Sequence, residues 1–318
     1  MKSIFGFLLF VSSVFGSSYP KEIYENVILY DAKNTVLSAD ELKIAIQSGK
    51  DIEKSFEKLA MNWKRVQTLF IASGIDETLI DLPFEIDSYH YGKEDITVAL
   101  DRIAQGTNDV KTAMFKNSYK NINALEYILF RKKTNPQREY AMALVALESL
   151  TQKFKEVQNV YETNKNTITK DESKFNALLL NRLIDSSYEI KEWRLGDTVG
   201  LSKKYQDKPD VRRGEFYYSN LSLKSIWTIM DSYAKVLNNP KYSDFGDVSI
   251  AYGAKDEIAL VRDALNESFK IEKSMNGDIM SPKSKELYDS LNRLHNGFYV
   301  SLISALRMTS KILDADGD

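Results

Sequence analysis

Glu126 is the side chain best placed to do chemistry. It stands in Asn121-Ile122-Asn123-Ala124-Leu125-Glu126-Tyr127-Ile128-Leu129-Phe130, where a polar group three residues before a carboxylate leads into an apolar run. Positions three apart share one helical face, so Asn123 and Glu126 can address one ligand. Hydrolysis at zinc needs three protein ligands, an open position for water and a general base. Asn123 supplies little of this, because its amide nitrogen is not basic and its oxygen is a neutral donor better suited to hard ions. The chain has two histidines, His90 and His295, and no cysteine. A zinc centre here would have to be assembled largely from carboxylates.

The same residues also read as a helix start. With Asn123 as N-cap, Glu126 falls at the third helical position of a capping box, and Ile122 and Tyr127 take the places of a hydrophobic staple. That structural role is the preferred expectation, ahead of metal binding by Glu126. His90 lies in Asp87-Ser88-Tyr89-His90-Tyr91-Gly92. Should this loop fold over Glu126, then Asp87, His90 and Glu126 form a mixed oxygen and nitrogen site for a divalent metal, iron or zinc. A plain surface loop is the competing reading. His295, beside Asn292 and Asn296, is expected to be solvated or hydrogen-bonded. Asp314-Ala315-Asp316-Gly317-Asp318 lacks the spacing and the position-12 glutamate of a calcium loop. Gly196-Asp197 and Gly214-Glu215 read as isolated turns, and no phosphate-cradling loop or nucleophile elbow is present.

Long amphipathic helices must position these groups. Ile52, Phe56, Leu59, Trp63, Val66 and Phe70 recur at intervals of 3 and 4, as do Tyr140, Leu144, Leu147, Leu150, Phe154, Val157 and Tyr161, and Leu287, Leu291, Leu294, Phe298 and Leu302. Such spacing belongs to helices packed side by side in bundles. Helices are expected near 22–33, 39–73, 94–118, 123–132, 137–163, 173–195, 221–238, 255–272 and 283–313, with the six prolines in connections or first turns. Two long connections, 74–93 and 196–220, have the length at which loops carry function. The polar stretch Glu162-Thr163-Asn164-Lys165-Asn166-Thr167 marks the expected boundary between an N-terminal domain, 19–165, and a C-terminal domain, 166–318.

Residues 1–18 read as a cleavable signal peptide: Lys2, an apolar run from Ile4 to Val11, then small residues, with cleavage after Gly16 or Ser18. The run is too short to span a bilayer, which takes roughly 20 residues. Loss of Lys2 moves the net charge from −2 to about −3, which excludes a concentrated basic surface for nucleic acid. Without cysteine the exported protein has neither disulfides nor the residue on which a bacterial lipoprotein is acylated. A periplasmic or secreted protein is expected, large enough to hold its core without staples.

Three regions together resemble the imelysin-like family of metallopeptidase-related proteins: Trp63-Lys64-Arg65 with Ile80-Asp81-Leu82-Pro83; the segment ending in Ala124-Leu125-Glu126-Tyr127; and Leu221-Ser222-Leu223 with the Asp-Gly-Asp terminus. The family segment is Gly-x-His-x-x-Glu, and Asn121 and Asn123 stand here for its Gly and His. The resemblance implies an all-α fold of two packed four-helix-bundle-type domains, export, and a part in iron acquisition, with peptidase activity in only some members. It also implies that any metal site centres on the motif, here Glu126; Asp87 and His90 are the companions the residues themselves suggest, with Arg65 as an orienting group. A non-catalytic or weakly catalytic role through metal or envelope-partner binding is therefore expected. The alternatives are a metallopeptidase with divergent ligands and a structural module that binds another envelope protein.

Overall fold

The computed structural model describes residues 19–90 and 95–306, and among these the regular structure is entirely helical. The expected signal peptide with its cleavage site, residues 91–94 and the terminal acidic segment lie outside the described residues. Eight helices build the frame: α1 (Leu29–Ser48), α2 (Ile52–Thr68), α3 (Ile122–Phe130), α4 (Pro136–Ile168), α5 (Glu172–Glu189), α6 (Ser222–Leu237), α7 (Lys255–Ser274) and α8 (Ser284–Asn296). Helices α1 to α4 pack into one bundle and α5 to α8 into a second. The bundles join where α2 lies against α5 and α6, and one continuous apolar cluster runs through both. No helix among the described residues is long and apolar enough to cross a membrane.

The apolar faces read from the sequence are the ones buried. Phe56, Leu59, Trp63 and Val66 of α2 are enclosed, as are Leu147, Leu150, Phe154, Val157 and Tyr161 of α4 and Leu287, Leu291 and Leu294 of α8. Helix starts follow side-chain capping: Asn135 accepts from the Arg138 N–H before Pro136, and Asp171 accepts from the Lys174 N–H.

Helix ends differ from expectation where polar residues are tolerated inside helices. No break occurs near 34–38, because the Thr35 hydroxyl donates back to the Asp31 carbonyl at 2.8 Å and Ser38 to the Thr35 carbonyl at 2.9 Å. The chain turns instead at Gly49, whose φ of 68° ends α1 in the left-handed region. The expected helix 94–118 is divided into Ile96–Gln105 and Val110–Ala113. The polar stretch 162–167, read as the domain boundary, lies in the last turns of α4, which ends at Ile168 before the turn into α5. Helix α5 continues through a π-helical segment, Ile190–Gly196, into Asp197–Val199.

Candidate functional site

Lys64, in the last turns of α2, organises the junction between the bundles. Its side chain is fully buried, and the ammonium donates to Asp87 Oδ2 and to Gln67 Oε1, each at 2.5 Å, and to Glu215 Oε1. These three acceptors satisfy its three N–H groups. Arg194, in the π-helical segment, donates through Nε to Glu215 Oε2 at 2.9 Å, through one terminal nitrogen to Gln67 Oε1 at 3.1 Å, and through the other to Glu189 at 3.3 Å. Arg182 completes the chain with a 3.0 Å bond to Glu189. Lys64, Arg194 and Arg182 thus balance Asp87, Glu215 and Glu189, and every pair is held by hydrogen bonds as burial requires.

Both oxygens of Asp87 are committed to the protein's own donors. Its Oδ2 also takes the Trp63 indole N–H at 3.2 Å, and its Oδ1 takes the Tyr89 backbone N–H at 3.0 Å. Desolvation pushes its carboxyl up, but the Lys64 charge and hydrogen bond, together with Arg194, outweigh that and hold it down at about 2.

Glu126 is buried beside this cluster under opposite conditions. The connection 196–220 folds back over α3, and Ser219 donates to Glu126 Oε1 from its backbone N–H at 2.8 Å and from its hydroxyl at 2.7 Å. Oε2 has no hydrogen-bond or ion-pair partner among the described residues and faces a cavity of about 480 Å³, lined among others by Ser88, Asn123, Tyr127, Phe216 and Tyr218. Burial raises the Glu126 carboxyl first of all; the Ser219 bonds lower it, while Glu215 and Asp87 add to the rise, leaving it at about 7.

The strap that covers Glu126 is held by its own geometry. Phe216 and Asn220 adopt left-handed φ of 58° and 57°, and a Cβ on Gly214 would stand 2.7 Å from Ser222 Oγ. The Tyr89 hydroxyl ties strap to loop, 2.8 Å from the Trp193 carbonyl and 2.9 Å from that of Arg213.

Several expectations are corrected here. The N-cap of α3 is Asn121, which accepts from the Ala124 N–H at 2.8 Å. Asn123 instead accepts from the Ser88 N–H at 2.9 Å, and so fastens the 74–93 connection to α3. Glu126 therefore makes no capping box. His90 is not beside Glu126: it stacks on Trp193 at 4.2 Å, and its Nδ1 lies 3.2 Å from Asp197. Arg65 pairs with Asp231 on α6, and the neighbouring Lys64 reaches the acids. One position on a helix is about 100° of rotation, enough to send Arg65 to α6 and Lys64 to the acids of the two connections. For His295 the hydrogen-bonded alternative holds: the ring bonds to Ser187 at 2.9 Å, and burial, followed by the Lys191 charge, lowers it to about 4.

The residues do not fit a metal centre built by the protein alone. No three His, Asp or Glu among the described residues are grouped to hold an ion. Asp87 and Glu215, the acids nearest in charge influence to Glu126, have their oxygens committed to Lys64, Arg194, Trp63 and the Tyr89 N–H. One free carboxylate oxygen with neutral hydroxyls and amides is a weak donor set for zinc or ferric iron.

An all-helical pair of bundles with a carboxylate-floored cavity at their junction defines the class of protein. The family model described as Peptidase_M75: Imelysin matches residues 26–273, and the chain belongs to the imelysin family. It is similar in fold to an imelysin-like protein from Psychrobacter arcticum 273-4, with a TM-score of 0.69 and 15% identity over 92% of this chain and 95% of that one. No curated protein matches.

Proposed function

We propose that this imelysin-family protein is an exported, non-catalytic component of metal acquisition, iron above all, that works by binding a ligand or envelope partner at the Glu126 cavity. The observation that carries the binding role is the unpaired Oε2 of an almost fully buried glutamate, only 4% exposed, facing that cavity. With Oε1 taken by Ser219, Oε2 is the oxygen left open to the cavity, and a carboxylate held in an enclosed site with one oxygen free is poised for a ligand that brings a donor. Support for metal acquisition and export comes from the family resemblance and the leader-like residues 1–18. Because the protein's own donors are few, a metal in this cavity would bring most of its ligands with it.

The test is complementation under iron limitation in the host, using wild-type protein and Glu126→Ala. The wild type is expected to restore growth and the variant to fail while still accumulating as folded protein. Full rescue by Glu126→Ala would contradict the reading.

Peptidase activity is the second reading, and one observation favours it: a glutamate titrating at about 7 suits general acid–base work. Cleavage of an unstructured polypeptide, abolished by chelator and restored by zinc, would establish it.

A further inference from the structure

We infer that the cavity over Glu126 is an amine site: it takes a small organic ligand through a primary ammonium group that pairs with Glu126 Oε2 and lies against the tyrosine wall. This rests on the reading that the cavity is the protein's binding site, and adds the chemical class of what enters.

Among the described residues, the floor of the cavity has no cation for Glu126. Glu126 Oε1 is saturated by the two donors of Ser219, and Oε2 has no partner among the described residues. Neither guanidinium that lines the cavity supplies the charge. Arg212 is largely exposed and forms a two-pronged pair with Asp210, at 2.9 and 2.7 Å. Arg213 donates to the Lys208 and Asp197 carbonyls and stacks on the Tyr205 ring at 4.0 Å. Lys64 and Arg194 are consumed by Asp87 and Glu215. The Glu126 carboxylate is thus met by no cation among the described residues.

The walls are those an ammonium prefers. Tyr127 and Tyr218 meet edge to face with centroids 4.9 Å apart, and Tyr217 packs on Tyr218 at 5.3 Å. Aromatic faces attract alkylammonium groups, and more strongly when water is excluded. Ser118 and Thr97 add neutral oxygens able to accept the remaining N–H bonds. Size points the same way: about 480 Å³ lies within the range of small-molecule pockets and far exceeds what a single bare ion fills. An anionic ligand would instead meet Glu126 unscreened, with Glu215 and Asp87 behind it.

Isothermal titration of the purified protein at pH 8 tests this with three probes: n-butylamine, 1,4-diaminobutane and the neutral isostere n-butanol. Both amines are expected to bind and butanol not to. Glu126→Gln keeps an oxygen for Ser219 to bond and is expected to weaken amine binding by roughly ten- to a hundredfold, the worth of one charge-assisted bond. Tyr218→Leu, on the exposed side of the wall, is expected to weaken it about threefold. Amine binding unchanged in Glu126→Gln, or butanol binding as tightly as butylamine, would overturn the amine assignment. If no amine binds the wild type, while Glu126→Ala still fails to complement under iron limitation, the amine assignment falls and the cavity reading stands. If no amine binds and Glu126→Ala complements fully, both fall.

Discussion

Asp87 and Glu126 are neighbouring buried carboxylates with opposite fates. Asp87, 1% exposed, is held near pH 2 because Lys64, Trp63, Arg194 and the Tyr89 N–H are gathered around it. Glu126, 4% exposed, is pushed to about 7 by burial, which the Ser219 bonds, its only donors among the described residues, offset in part and to which Glu215 and Asp87 add. Burial alone would raise both. What separates them is the placement of counter-charge: the compensated acid ties the two bundles together, whereas the uncompensated acid is the one on which the proposed binding role rests.

Removing the compensation should have the largest effect. Lys64→Met leaves Asp87 and Glu215 without their shared cation, and breaking such a buried pair costs about 3–5 kcal/mol. An unfolding free energy lowered by that amount, read from a reduced urea midpoint at constant slope, would be the readout, and an unchanged midpoint would show that the cluster does not join the bundles.

Glu126→Gln should act in the other direction and depend on pH. The folded-state pKa of Glu126, about 7, lies above its unfolded value of 4.5. The folded protein therefore holds this proton more tightly, and the group's contribution to stability declines as pH rises from 4.5 to 7 and stays low beyond. At pH 8 the variant is expected to be more stable than wild type by up to about 3 kcal/mol, an upper bound from the linkage relation, and near pH 4 the two should converge. A pH-independent difference between their urea midpoints would contradict this.

Arg65→Ala should matter least. Arg65 pairs with Asp231 on a partly solvated surface, where such pairs contribute less than about 1 kcal/mol. Neither the Glu126 titration nor complementation is expected to change, and a loss of either would restore Arg65 to the site from which the structure separates it.

The helical frame was legible in the sequence because apolar periodicity records which faces are buried, and Phe56, Leu59, Trp63 and Val66 obey it. Glu126 was legible as the residue of interest through the motif around it. Its partners were not. Glu215 stands after Gly214 in what reads as a turn, and only the folding of 196–220 over α3 brings it 151 positions along the chain to Lys64. An acid beside the aromatic run Phe216-Tyr217-Tyr218 was the sole local hint. Lys64 was hidden for a different reason: on an amphipathic helix a lysine is expected in solvent, and here α2 is enclosed by both bundles. The two asparagines traded roles because the N-cap falls two positions earlier than expected: Asn121 caps α3 and frees Asn123 to hold Ser88.

Carboxyl-carbon NMR titration of the folded protein, with Glu126 and Asp87 assigned by Glu126→Gln and Asp87→Asn, tests the central claim most directly. The account predicts a midpoint of about 7 for Glu126 and about 2 for Asp87. A Glu126 midpoint at or below its ordinary value of 4.5 would mean that a counter-charge already sits on Oε2, and the cavity would have nothing left to offer a ligand.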